Sequence, residues 1–381
     1  MYLPPPPNPK KTSAALLILL FIGGLLLGVI AMFAISYQQQ SALNTQISNL
    51  QNQVSDLQGF QNATTQNITI MQNGTALTEL YSNIRQSVVL IMGDVSDGTV
   101  QGSGFVYNFG GQMVVLTNYH VVEGTTGLSV TFSNGNGYAA TVLGSDPYAD
   151  LAVLSVSSAP ASEFHPIQIV TSTGLSVGEQ VIAIGNPYGL VGSLTTGIVS
   201  ATGRTITEDT AGGFAIANII QTSTPINPGN SGGPLLNAVG NVVGITTAIV
   251  SDSQGLGFAI PSNTILREVS SLVTTGSYHG HSYLGVTGED MDYSIAQQDG
   301  ASVTYGWRVA SITSGGPSDG KLQVGDIITA LNGHTIKGND DLASYLEENT
   351  LPGDSLTLSV VRGSQNIDVV VVLAERPAPS A

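Results

Sequence analysis

The sequence predicts a mainly β protein of two folded units behind an apolar N-terminal segment, and three observations carry that expectation. Runs rich in Val, Ile and Thr recur at roughly ten-residue spacing and are cut by Gly, Asn or Pro, the pattern of an all-β barrel or sandwich. The composition agrees: 46 Gly and 17 Pro supply turns, and 42% hydrophobic against 9% charged residues leaves ample apolar surface for a core. A break near residues 276–280 sets off a further group of strands, so the 381 residues hold two domains and appendages.

In sequence order, residues 1–13 are a Pro-rich tail ending in Lys10 and Lys11. Residues 14–37 form an unbroken uncharged stretch, long enough to cross a bilayer as a transmembrane helix. A cleaved signal peptide is the rival reading, but this run exceeds the usual apolar length and Ala34-Ile35-Ser36 is a weak cleavage site. Lysines precede the span and no basic residue follows before Arg85, so a single-pass cell-membrane protein is expected, with its N-terminus cytoplasmic and the remainder outside. Residues 38–78 read as a polar stalk. Leu43, Ile47, Leu50, Val54 and Leu57 make a short seam that suits either a coiled coil or an extended polar segment. Asn62, Asn67 and Asn73 each open an Asn-x-Thr sequon, which fits an external stalk and marks glycosylation candidates.

A helical pattern at 76–86 precedes strands at 87–92, 100–107, 112–118, 128–132, 138–144, 151–156, 179–185, 194–202 and 214–222. Residues 235–250 read as a hairpin hinged at Gly240-Asn241. After Leu256-Gly-Phe-Ala-Ile260 comes a helix opened by Pro261-Ser262-Asn263, whose apolar face is Ile265, Leu266, Val269, Leu272 and Val273. The C-terminal unit carries strands beginning at Tyr283, Trp307, Asp326, Ser355 and Asn366, and one helix at 340–348 that Asn339 can cap. Residues 376–381 are expected to fray.

Ten Lys and Arg against 26 Asp and Glu give a net charge of −16, which disfavours nucleic acid as a partner. The absence of cysteine excludes a thiol nucleophile, disulfides and thiolate-bound zinc. The chemistry centres on Asn227-Pro-Gly-Asn-Ser-Gly-Gly-Pro234, which sets Ser231 on a turn whose glycines let a substrate come close. A plain Gly/Pro turn is the bland alternative. A nucleophile elbow needs a helix after the serine, and the hairpin that follows argues against one. A serine hydroxyl needs a base, and the base an orienting acid. Of the histidines in the first folded unit, His165 lies in a polar connection, whereas His120 ends a strand and can reach a cleft. Asp146 and Asp150 are the acids on offer: Asp146 suits a turn before Pro147, and Asp150 opens the apolar strand at 151–156, where burial demands a hydrogen-bonding partner.

The order His, Asp, Ser in TNYHVV, DPYADLAVL and INPGNSGGPL, with IGNPYGL, GIVSATGR and LGFAIPSN, resembles the HtrA (DegP/DegS-like) family of serine proteases over residues 79–376. The resemblance implies a chymotrypsin-like double β-barrel at 79–276, a PDZ domain at 277–376 and a tail at 377–381. It assigns Ser231 as nucleophile, His120 as general base and then acid, and Asp150 as the group orienting His120. Gly229, Asn230 and Ser231 become the oxyanion loop, the amides of Gly229 and Ser231 being the donors, worth about 3 kcal/mol each. The family's Asp-Ala-Ala before Ile-Asn-Pro is replaced by Ser223-Thr224-Pro225, so no acid stands at the pocket base. Pro225 and Ile226 then suggest a modest apolar pocket. Residues 244–248, with Thr246, Thr247 and Ala248, are similar to the edge strand that pairs with substrate. Tyr283, Leu284, Gly285 and Val286 resemble a PDZ carboxylate-binding loop.

The implied activity is ATP-independent cleavage of unfolded or misfolded polypeptides outside the membrane, with C-termini held at the PDZ groove and a homo-oligomer, commonly a trimer, as the assembly. An extracellular chaperone or scaffold with an idle protease fold is the alternative. No cofactor and no metal are expected: His279 and His281 are read as linker residues, for want of a nearby carboxylate pair.

Overall fold

The computed structural model describes residues 74–96, 98–186, 192–207, 215–227, 229–247 and 256–378. The apolar stretch at 14–37, the seam from Leu43 to Leu57 and the sequons at Asn62, Asn67 and Asn73 lie outside the described residues. Among those described, no helix is long and apolar enough to cross a membrane. Helix α1 (Gly74–Ile84) and a 3-10 turn (Arg85–Ser87) lead into the sheets, so the helix begins inside the segment read as stalk. Leu80 and Ile84 stand against Gly240, and Tyr81 Oη donates to Gly192 O at 2.8 Å.

The first sheet contains β1 (Val88–Val95), β2 (Gly98–Phe109), β3 (Gln112–Thr117), β4 (Thr126–Thr131), β5 (Gly137–Ala139), β6 (Thr141–Asp146) and β7 (Leu151–Ser155). Their spatial order is β5-β4-β1-β2-β3-β7-β6. The two end strands are consecutive in sequence with only Ala140 between them, so the sheet must curl until its ends meet. Backbone pairing does not close it, which leaves a nearly closed barrel where a full one was expected. The inward side chains, among them Val89, Ile91, Val106, Val115, Val130 and Leu154, are 0% exposed and form one core. Burying apolar surface at about 25 cal/mol per Å² is what holds such a sheet together.

The second sheet is a closed barrel, in the order β10-β13-β12-β11-β8-β9. Its strands are β8 (Gln180–Gly185), β9 (Ser193–Thr207), β10 (Ala215–Thr222), β11 (Pro234–Asn237), β12 (Val242–Thr247) and β13 (Gly257–Pro261). The hairpin read at Gly240-Asn241 joins β11 and β12, with Gly240 at φ 91°. Helix α2 (Ser262–Thr274) follows and buries Ile265, Val269 and Leu272, whereas Leu266, expected on that face, is 41% exposed. Helix and first sheet meet closely at Gly144, where a Cβ would fall 2.2 Å from Leu272 O.

The C-terminal domain contains β14 (Ser282–Tyr283), β15 (Val286–Asp290), α3 (Tyr293–Asp299), β16 (Trp307–Ile312), β17 (Ile327–Leu331), β18 (His334–Thr335), α4 (Asn339–Asn349), β19 (Ser355–Arg362), β20 (Gln365–Val372) and β21 (Ala374–Glu375). Its sheet runs β15-β16-β17-β19-β20, with β18 on β17 and β15 at an edge. Helix α3 escaped the sequence reading because it is short, although Asp292 caps it by accepting Ile295 N–H at 2.7 Å. Gly338, not Asn339, precedes the first turn of α4; the Asn339 amide instead donates to Asp290 Oδ1 at 2.5 Å. Residues 376 and 377 are not frayed. The Arg376 guanidinium stacks 3.9 Å from the Tyr148 ring centroid, and Tyr148 Oη donates to Pro377 O.

Candidate functional site

Asp150 follows the turn between β6 and β7 and is 0% exposed. Its φ of 47° is unusual for a residue with a side chain, and Asn118 Nδ2 holds its carbonyl at 3.0 Å. The carboxylate accepts the His120 backbone N–H at 3.0 Å, the Thr247 hydroxyl at 3.1 Å, and lies 3.0 Å from His120 Nδ1 through both oxygens. Those donors are what make a buried charge tolerable. Because Nδ1 faces the acid, it carries the proton and Nε2 is the basic nitrogen. His120 stands three residues beyond the end of β3, on the connecting turn, with its side chain 20% exposed. Asp146, the other acid on offer, accepts the Tyr148 amide at 2.9 Å and faces His281, so it belongs elsewhere. His165 is exposed, as read.

Ser231 is 5% exposed on a loop pinned from two strands. From β2, Ser103 N–H donates to Ser231 O at 2.8 Å, and Ser103 Oγ donates to Gly229 O at 2.6 Å while accepting Asn186 N–H at 2.8 Å. From β12, the Thr246 hydroxyl reaches Asn230 O at 2.7 Å, and its backbone exchanges bonds of 2.9 Å with Gly232 and Gly233. Asp150 and the serine loop are thus held by adjacent residues, Thr247 and Thr246. Gly229 and Gly232 have φ of 93° and 85°. A Cβ at Gly232 would lie 2.1 Å from Ser103 O, so the loop can pack here only without one. Pro228 lies outside the described residues.

Two family descriptions match the sequence: a trypsin-like peptidase domain over residues 102–245 and a PDZ domain over 282–373. Protease Do-like 1 from the chloroplast of Arabidopsis thaliana is 38% identical over 294 residues, covering 73% of this chain and 64% of its own. A DegP-like periplasmic serine endoprotease of Chlamydia trachomatis is 36% identical over 282 residues, which is 54% of its length. The chain therefore spans between half and two thirds of these relatives. Among solved structures, the HtrA-type protease AlgW with a tripeptide superposes with a TM-score of 0.64 at 31% identity, covering 79% of this chain and 98% of that one. The chain belongs to the HtrA family of serine proteases.

Within this HtrA protease domain the oxyanion and specificity residues are sorted by their bonds. The Asn230 amide donates to Asn227 O at 2.9 Å, so of the three loop residues it is not a donor to an oxyanion. Its side chain is buried against Gly185, where a Cβ would come within 2.2 Å of Asn230 Oδ1. Thr246 and Thr247 are each 1% exposed. They pair with Ala259 and Phe258 of β13, so up to Thr247 this segment is interior and not a free edge. Their side chains serve the loop and Asp150; Ala248 lies outside the described residues. Pro225 is exposed, with its carbonyl accepting the Thr195 hydroxyl at 2.9 Å, and Ile226 packs against the second barrel's core. Ser103 and Thr247 were missed as residues that hold the site together. The Gly-Ser-Gly at 102–104 inside a strand was the signal for the first.

In the HtrA PDZ domain, Leu284 is buried in the core and its carbonyl accepts the Ser318 hydroxyl at 2.7 Å. Gly285, at φ 76°, accepts Thr313 N–H at 2.9 Å, and Tyr283 Oη meets Thr313 Oγ1 at 2.9 Å. Val286 begins the edge strand β15, so what the loop presents is backbone and an open edge. Helix α4 lies on the protease domain: Asp340 takes Thr205 N–H at 2.7 Å and Arg204 Nη1 at 3.0 Å, Ser344 donates to Gly203 O at 3.0 Å, and Glu348 accepts Asn218 Nδ2 at 2.7 Å.

The reading of His281 as a linker residue is corrected, because the fold supplies the carboxylates that its sequence neighbourhood lacks. It is 4% exposed, with Nε2 on Asp146 and Nδ1 3.0 Å from Glu347. Burial alone would lower its pKa, but the hydrogen bonds and charges of Asp146 and Glu347 outweigh that and push it up to about 10. Burial would raise Glu347, yet His281 and Arg267 bring it down to about 2. Glu268 is driven well above the usual carboxylate range by burial, with Asp146 adding to it. His279 is exposed and pairs with Glu375 at 2.6 Å.

Proposed function

We propose that the protein is a serine endopeptidase in which Ser231, His120 and Asp150 act as a triad. The observation that carries this is the Asp150 carboxylate, buried and holding both His120 Nδ1 and the Thr247 hydroxyl beside the serine loop. His120 Nε2 takes the Ser231 proton as Oγ attacks the scissile carbonyl, and the new C–O bond places negative charge on the carbonyl oxygen. The amides of Gly229 and Ser231 receive that oxygen. Collapse breaks the C–N bond, with His120 giving its proton to the leaving amine. Water, deprotonated by the same nitrogen, then hydrolyses the acyl-enzyme and restores Ser231.

The PDZ domain, with its edge at β15, takes the C-terminus of a polypeptide as an added strand. Solved HtrA-type relatives carry a tripeptide or a decapeptide, which fits a polypeptide ligand. The Chlamydia relative is named periplasmic, and with the apolar stretch at 14–37 this supports a membrane-anchored enzyme of extracytoplasmic protein quality control. A homo-oligomer, by family habit a trimer, belongs to the same reading and is checked by sizing. Ser231→Ala should abolish degradation of an unfolded substrate such as casein. Labelling of the parent by a fluorophosphonate, absent in that variant, separates an active triad from the chaperone or scaffold alternative; unchanged casein degradation in Ser231→Ala overturns the proposal.

A further inference from the structure

Asp146 of β6, Glu268 of α2 and His281 at the start of the C-terminal domain converge, with one ligand atom from each lying within 4.8 Å of the others. All three are buried, at 2%, 0% and 4% exposure. Each has its second polar atom already engaged. Asp146 Oδ1 accepts the Tyr148 amide at 2.9 Å, Glu268 Oε1 accepts Arg267 Nη2 at 2.6 Å, and His281 Nδ1 is 3.0 Å from Glu347 Oε2. Asp146 Oδ2 and His281 Nε2 share a proton with each other, which an entering cation would displace, and the third atom of the centre is Glu268 Oε2. That last oxygen is fully buried and has no hydrogen-bond partner among the described residues. An ionised oxygen in that position is costly unless a cation meets it. The rings of Tyr148 and Tyr278 flank His281 edge-on at 5.5 and 5.0 Å and hold its plane.

We propose that Asp146, Glu268 and His281 bind one divalent first-row cation, with zinc(II) the best match, and that this ion pins the PDZ domain to the protease domain. One imidazole and two carboxylates, with a water as fourth ligand, suit zinc's tetrahedral preference at ligand distances of about 2.0–2.2 Å. Calcium and magnesium want six or more oxygens, and the site offers too few. The carboxylate of Glu347 on the far ring nitrogen is the outer partner that metal-bound histidines ordinarily have. Two ligands come from one domain and one from the other, so the ion cross-links them. The site is separate from the serine loop and does not depend on the peptidase reading.

The test is zinc binding to the purified full-length protein after stripping with a chelator, read by elemental analysis and by competition with a chromogenic indicator. One zinc per polypeptide and a raised melting temperature are expected. Glu268→Gln and His281→Gln should each weaken binding at least about 100-fold, and Glu347→Gln by about 10–100-fold. His120→Gln should bind as tightly as the parent, because the catalytic histidine is not a ligand. No stoichiometric zinc in the parent overturns the proposal, as does binding that is lost in His120→Gln and kept in His281→Gln. Should the buried substitutions prevent folding, X-ray absorption at the zinc edge of the parent decides. One imidazole among oxygen ligands supports the site, and two or more imidazoles overturn it.

Discussion

Asp150 sits in the left-handed region, where asparagine is among the few residues tolerated, so Asp150→Asn tests its charge with little disturbance of the backbone. An amide there favours the wrong His120 tautomer, and kcat should fall by about four orders of magnitude with KM little changed. Steady-state hydrolysis of a peptide, with circular dichroism to verify folding, checks this. Thr247→Val removes one of the carboxylate's donors, and loss of about 1 kcal/mol of hydrogen bonding should lower kcat roughly fivefold. A fall as large as that of Asp150→Asn would mean that the barrel around β12 had moved. At this scale the proposed site was legible in the sequence where a residue type is chemically obligatory: a serine between glycines, a histidine, an acid at the lip of a buried strand. Ser103 was not legible. Its role is to join Gly229 O to Asn186 N, residues distant in the sequence, and the glycines on either side of it mark a close approach without saying to what.

The elements themselves followed their patterns, because alternating and continuous apolar runs leave a strand few ways to be buried. The strands of both protease sheets fell near their expected places, and the hairpin turned at Gly240. The reading of the 244–248 edge failed for a physical reason. Strand order is set by pairing across the barrel, and β12 was given a second neighbour by β13, a strand recognised only as a short apolar run. Helix α4 gives the next prediction, since its Glu347 joins His281 and Arg267 at the domain junction. A carboxylate lowered to about 2 stabilises the folded state above its ordinary value near 4.5, and that contribution is lost as pH falls towards 2. A histidine raised to about 10 stabilises below its ordinary value near 6.5, and that contribution is lost as pH rises through 10. In the presence of a chelator, the melting temperature should therefore be highest between about pH 4.5 and 6.5 and fall on both sides. Glu347→Gln should flatten the acid limb. An unaltered acid limb in that variant would remove Glu347 as its cause.

At the scale of the molecule, residues 78–381 form one compact unit, although the sequence divides them into two domains joined by a linker. The division was legible because each domain closes its own core; the junction was not, because its charges are supplied by Asp146, Arg267, Glu268, His281 and Glu347, scattered over about 200 positions with no period among them. Scattered contacts of this kind act together. The Ser145 amide donates to Gly276 O at 3.2 Å and the Arg376 amide to His281 O at 2.9 Å, bonds within each domain that flank the buried charges of Asp146 and His281 and so report on the junction when it opens. Removing one partner from a buried charge pair typically costs about 3–5 kcal/mol, because it leaves the other charge unpaired. His281→Gln should therefore raise hydrogen exchange at the amides of Ser145 and Arg376 by roughly 100-fold or more, while amides of Leu154 and Ile220 in the two barrel cores keep their protection. If exchange at Ser145 and Arg376 accelerates only in step with the cores, the junction has no opening of its own, and the two domains unfold as one cooperative body.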